Sequence, residues 1–435
     1  MLTVITMTTE RKSAWPQLDQ QQEPAGPSAL KAAICEEMAR LCAEELGESL
    51  RAAVLTGSLA RDEATFAREG ERWSVLGDAE FLLIFHERTT LPPAPNLKLL
   101  RQGIENILLQ CGILCPVSVS AVYPRYLLKM RPHIFGYELR TCGQVVWGEP
   151  QILSLIPAFS PSDIPLEDAW RLLCNRMVEL LEVADQLVDK PGALSRHAHY
   201  RAVKIYLDMA TSFLLFRGAY APSYRERAEK LRTLADSTSA KDGCSFFPLR
   251  TFAERVSSCT QLKLQEAGGG DLSVTGGDTG PSVEFWEEVV AYARLLWRWE
   301  LARLTGVQAQ LSYRALLEKW MQLQPFGKRL RGWVYVLRKG GWHRSWRNWP
   351  HWVRRGWRAS PRYWVYAAAS ELFLRLPALL RDANQRRDTD LNWKELRSWL
   401  PMVRECEAGM RGSSWQQVAS EIARNYNEFV VGTRA

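Results

Sequence analysis

Two periods of apolar residues divide this chain. Leu30, Ile34, Met38, Leu41 and Leu46 recur at helical spacing, which predicts a helix over 29–50 leading into a strand. Val54 and Leu55 end a short apolar run and read as that strand. Phe81, Leu82, Leu83, Ile84 and Phe85 are continuously apolar, as in a strand covered on both sides. A Pro-rich loop at 91–95, a helix through Leu97–Leu109, the alternating Val117–Val122 and a closing segment near Gly143–Trp147 follow. That mixture predicts a small mixed sheet with helices on one face.

Beyond Asp163 the period is helical throughout. Leu166, Ala169, Leu172, Leu173, Met177, Leu180 and Leu181 form one stripe, with Ser162 or Asp163 as its cap. Further helices are expected over about His199–Phe216 and from about Tyr224. Helices resume at Val283, where Trp286, Val289, Val290, Ala293, Leu296 and Trp297 make a broad apolar face. The glycines of 268–280 lack the Lys-Ser/Thr of a phosphate-binding loop and read as a linker. The expected fold is α+β: a flexible arm over 1–28, a sheet domain over 29–158, a helical bundle over 159–262, a Gly-rich linker over 263–283 and a helical region over 284–435.

Composition adds bounds. At 435 residues, 46% hydrophobic and 24% charged, the chain has material for two or three domains of ordinary globular character. Its nine cysteines lack metal-site spacing: Cys111 and Cys115 have no matching second pair, so reduced thiols are expected. Residues 1–28 hold no apolar core of signal-peptide length. The best candidate for a membrane span, Tyr363–Leu380, is broken by Glu371, Arg375 and Pro377, so no spanning helix is expected. These features predict a cytoplasmic protein, with a peripheral place at the inner face of a membrane as a variant of that reading.

Candidate chemistry gathers at residues 54–84. Gly57 permits a tight turn and close backbone approach to a ligand, and Ser58 offers a hydroxyl and an N–H. A helix from Leu59 would point unpaired N–H groups at phosphate, with Arg61 in its first turn. In Asp78-Ala79-Glu80 the two acids stand at i and i+2, on one face of a strand. Such a pair repels itself unless a cation lies between, and carboxylates together with substrate phosphates are how proteins commonly hold Mg²⁺.

This stretch resembles the nucleotidyltransferase superfamily that includes DNA polymerase beta, the aminoglycoside adenylyltransferases and the minimal nucleotidyltransferases. Gly57, Ser58, Ala60, Arg61 and Glu63 match its Gly-Ser-x-Ala-Arg-x-Glu form, and Asp78 and Glu80 match its acid pair. The resemblance covers about residues 30–150. It implies an enzyme that moves a nucleoside monophosphate from ATP or another NTP to a hydroxyl or amine acceptor. Gly57 and Ser58 would hold the triphosphate, and Asp78 and Glu80 would ligate Mg²⁺. The helical half resembles the partners of such domains, in which a bundle lysine reaches the triphosphate; Lys204 takes that part here, although a surface pair with Asp208 is the plain alternative. The family's third acid is missing: Val117–Val122 carries serines, and Glu138 could replace it only if folding brings it near. The alternative is a catalytically degenerate nucleotide or polyanion binder.

Residues 319–370 contain no acid, and their lysines and arginines carry +12. The whole chain carries +8, which leaves −4 for the remainder. Eight of the 18 tryptophans also fall there. The segment reads in three ways: Trp and Arg stacked on nucleic acid, a seat on an anionic membrane surface, or core tryptophans with a solvated basic face.

Overall fold

A computed structural model describes residues 26–189, 196–237, 247–265, 283–307, 311–340, 349–381, 393–402 and 415–431. Nearly all of the expected arm (1–25) and Gly-rich linker (266–282) lies outside these residues.

The fold is α+β. Four strands, β1 (Leu50–Thr56), β4 (Ala79–Phe85), β6 (Val117–Val122) and β7 (Gln144–Gly148), form a mixed sheet in the order β6-β4-β1-β7. β1 runs antiparallel to β4 and β7, and β6 runs parallel to β4. The charged 68–72 stretch is the tip of a hairpin between β2 (Phe66–Glu69) and β3 (Arg72–Val75). With β5 (Ile113–Leu114) these make a second, three-stranded sheet.

Strand alternation explains how the larger sheet is covered. Ala53, Leu55, Phe81, Leu83 and Phe85 pack against helices α1 (Pro27–Leu41) and, with a short helix α2 (Gly57–Ala60) between them in sequence, α3 (Ala94–Gln110). Ala52, Val54, Leu82 and Ile84 face the other way, onto Leu127 of α4 (Pro124–Leu128) and Leu139 of α5 (Ile134–Cys142). Both faces are therefore covered, not one. The reason is visible in the strands, where consecutive residues of β1 and β4 are apolar and each face must be buried. Asp78 and Glu80 share the parity of Leu82 and Ile84, so they project on the α4–α5 side.

The helical half contains α6 (Leu166–Asp189), α7 (Arg196–Phe216), α8 (Tyr224–Ser237), α9 (Leu249–Gln265), α10 (Val283–Thr305), α11 (Tyr313–Gln322) and α12 (Phe326–Gly340), then shorter helices to residue 426. Its core is aromatic. Trp170 of α6 is fully buried, stacks on Tyr363 at 5.5 Å and meets Trp297, Trp320 and Tyr366 within 6.0 Å. Tyr363–Leu380 is split between the helices Pro361–Phe373 and Leu376–Arg381, and among the described residues no helix is long and apolar enough to cross a membrane.

Candidate active site

Strand register brings the turn and the acids together. Thr56 of β1 pairs with Glu80 of β4, and Glu80 pairs with Ser118 of β6. Gly57 follows at φ +72, where a Cβ would sit 2.9 Å from Glu80 Oε1. The glycine is needed twice, for its left-handed backbone and for the space its missing side chain leaves above the carboxylate. Asp78 stands just before β4, and its Oδ2 accepts a hydrogen bond of 2.7 Å from Ser118 Oγ. Thr56, Gly57, Ser58, Asp78 and Glu80 line one cavity of about 320 Å³, and Arg61 and Lys204 line it too.

Two expectations change in detail. The helix after Gly57 is a single turn, ended by Arg61 outside helical geometry and by Asp62 at φ +58. It is too short to offer phosphate a helix terminus. Arg61, expected to fork onto phosphate, forks onto protein carboxylates: Nη1 reaches Glu138 at 2.7 Å and Nε reaches Glu63 at 3.2 Å. The Arg61 guanidinium also lies 5.3 Å from the centre of the Tyr224 ring. Glu138 does come to the cavity wall, but it is not an idle third acid. It accepts from Arg61, from Arg227 and, at 2.6 Å, from the Tyr220 hydroxyl. Burial works against its charge, yet Arg61 and Arg227 hold it below the usual carboxylate range.

Glu80 is the opposite case. Burial first, and the neighbouring Asp78 second, push its pKa up to about 7, against partial relief from Lys204 and Arg61. A cation between Asp78 and Glu80 would remove that repulsion. Among the described residues no group of three or more His, Cys, Asp or Glu is placed to hold a metal ion by itself. Two carboxylates with room beside them suit Mg²⁺, which takes much of its shell from phosphate oxygens and water.

Lys204 does not form the surface pair with Asp208. That carboxylate is buried and bound by Arg176 Nε at 2.5 Å, so Lys204 is left on the cavity wall, its Nζ 5.1 Å from the Tyr200 ring centre. Burial opposes its charge, but Tyr200 and other neighbours hold its pKa above the ordinary lysine value. The Tyr200 phenol is in turn held low by Lys204 and Lys263, against the upward push of burial.

Lys263 is a site residue that sequence reasoning missed. It is almost wholly buried and donates to the Tyr200 hydroxyl at 3.0 Å. Its signal was readable in the pattern: Phe252, Val256, Cys259 and Lys263 share one buried face of α9, so a lysine stands where an apolar residue belongs. Asp168, Arg171 and Asn175 also had no role assigned from sequence. They line the cavity from α6 at i, i+3 and i+7, a polar stripe beside the apolar one.

The cavity therefore lies on the seam between the sheet domain and the helical half, and motif residues fasten that seam. Glu63 Oε1 accepts the N–H groups of Tyr224 and Arg225 at 2.7 and 3.2 Å, satisfying the start of α8. Asp168 Oδ2 does the same for Ile134 at the start of α5, at 2.8 Å. Thr65 donates to the Lys263 carbonyl at 3.0 Å.

The chain matches no protein-family model, no curated protein and no solved structure.

Proposed function

We propose that this protein is a Mg²⁺-dependent nucleotidyltransferase, moving a nucleoside monophosphate from ATP or another NTP onto a hydroxyl or amine and releasing pyrophosphate. One observation carries the reading: the left-handed Gly57 turn lies directly over Glu80, with Asp78 in the same cavity. Asp78 and Glu80 would hold the metal, which supplies charge neutralisation to the phosphates. Gly57 keeps the backbone close to the triphosphate, and Ser58 donates to it. Lys204 and Lys263 face the same space with positive charge. The acceptor atom forms a bond to the α-phosphorus while the bond to the bridging oxygen breaks, and pyrophosphate leaves with that electron pair. The acceptor's proton goes to Asp168, whose carboxylate lines the same cavity.

ATP labelled at the α-phosphate, incubated with the protein, Mg²⁺ and a broad panel of alcohols and amines, should label an acceptor. Asp78→Ala should reduce that labelling about 10³-fold. A second reading, a nucleotide-binding module without turnover, is favoured by Ser118 facing Asp78 and by Glu138 being tied to arginines. Its signature is a Tm raised by Mg²⁺-ATP with no label transferred to any acceptor, and that result would sink the enzyme.

A further inference from the structure

Going beyond the proposed reaction, we infer that α12 and the helix Trp349–Arg358 seat this protein on an anionic lipid surface. The starting point is a helix with two apolar faces. α12 already buries an inner face: Trp333 donates to the Ala359 carbonyl at 2.8 Å, and Val336 is fully buried. Yet Phe326, Leu330 and Val334, spaced at i, i+4 and i+8, form a second stripe that is exposed, Phe326 by 54%. The helix Trp349–Arg358 adds Val353 and Trp357 at i and i+4, with Trp357 70% exposed. Phe326 and Trp357 join the two stripes edge to face, with ring centres 5.7 Å apart. A surface helix needs one apolar face to hold its place, and a second, continuous one marks a surface that something covers.

Charge identifies the occupant. Lys328, Arg331, Arg338, Arg354 and Arg358 are all exposed on these two helices. Arg331 and Arg338 flank Val334 at i−3 and i+4, and Arg358 follows Trp357 directly. No acid occurs between Glu318 and Glu371 to neutralise them. Apolar side chains rimmed by cations fit a membrane interface, where the stripe enters the acyl boundary and the cations meet anionic headgroups. Nucleic acid satisfies the cations but not the stripe. Phe326 and Trp357 could stack on bases, whereas Leu330, Val334 and Val353 have no ring to offer.

Three tryptophans of the 319–370 segment do other work, because Trp320, Trp333 and Trp364 pack in or against the helical core. Trp342 and Trp346 lie outside the described residues. The lipid-facing role therefore rests on Trp357 and the aliphatic stripe.

The test is co-sedimentation of the full chain with phosphatidylcholine vesicles, with and without phosphatidylglycerol, at physiological salt. Wild type should sediment with the anionic vesicles alone. Leu330→Asn/Trp357→Ser should weaken that partition at least about tenfold with Tm unchanged, because both side chains face solvent. Arg331→Gln/Arg358→Gln should weaken it and lessen its dependence on phosphatidylglycerol. Should the double apolar variant melt early, Val334→Asn repeats the test alone. No sedimentation of wild type would overturn the inference. So would single-stranded RNA binding that persists in the apolar variant while vesicle binding is absent, or a dimer that the apolar variant dissolves.

Discussion

The seam around the cavity and the outer face of α12 both set arginines beside aromatic rings, with opposite consequences. At the seam Arg227 lies 4.9 Å from the Tyr220 ring centre and 5.0 Å from that of Tyr224, and it shares Glu138 with Arg61. All five of these side chains are largely buried, and each cation has a carboxylate. On the outer face Arg354 and Arg358 neighbour Trp357 with no acid nearby in sequence, and all three are exposed. The same residue types make a fixed joint in one place and an open docking surface in the other. What separates them is the presence of a buried acid that the cations cannot leave without stranding a charge.

The largest effect should come from removing that acid. Glu138→Ala leaves Arg227 buried without a carboxylate and Arg61 with Glu63 alone, and should cost about 3–5 kcal/mol in urea unfolding monitored by circular dichroism. A cost below about 1 kcal/mol would show that the joint is held by its aromatic packing and not by its charges.

A smaller effect belongs to the turn. In Gly57→Ala the new Cβ meets Glu80 and the backbone must hold φ +72 with a side chain attached. Nucleotide affinity, followed by calorimetric titration of Mg²⁺-ATP, should fall about tenfold, which is about 1.4 kcal/mol. Unchanged affinity would separate the turn from nucleotide binding.

The smallest and most specific change concerns Glu80. The unfolded chain releases this proton near 4.5, whereas the folded protein keeps it until about 7. Because the folded state binds the extra proton between these values, Glu80 lowers stability as pH rises through that window, and the full cost remains above it. Without metal, Glu80→Gln should therefore melt higher than wild type at about pH 8, with the gain fading toward the lower value. Added Mg²⁺ should narrow the gap by stabilising wild type alone. A gain that ignores both pH and Mg²⁺ would mean that the glutamine simply packs better.

Much of the sheet and its turn was legible because the information is local. Spacing of two residues on a strand puts Asp78 and Glu80 on one side, a run of apolar residues in β4 demands cover on both faces, and Gly57 alone suits a left-handed turn against a carboxylate. Helix periods likewise marked α6, α7 and α8, with the start of α6 falling at Leu166, later than the Ser162 or Asp163 cap suggested. The partners of polar groups were not legible. Arg61 looked like a phosphate ligand because its attachment to Glu138, 77 positions away, has no trace in local spacing.

Period and residue type were enough to mark the strands of the larger sheet and the long helices, the shared side of Asp78 and Glu80 and the segment in which cations collect, but not the β2–β3 hairpin or the helices α4 and α5. Folding alone decided which cations reach the cavity, since Lys263 arrives from a helix whose position depends on packing against α7 and α8. It also decided which tryptophans face water: a repeat defines a helical face, but only contact between helices determines whether that face, as at Trp333, is buried or, as at Trp357, left open.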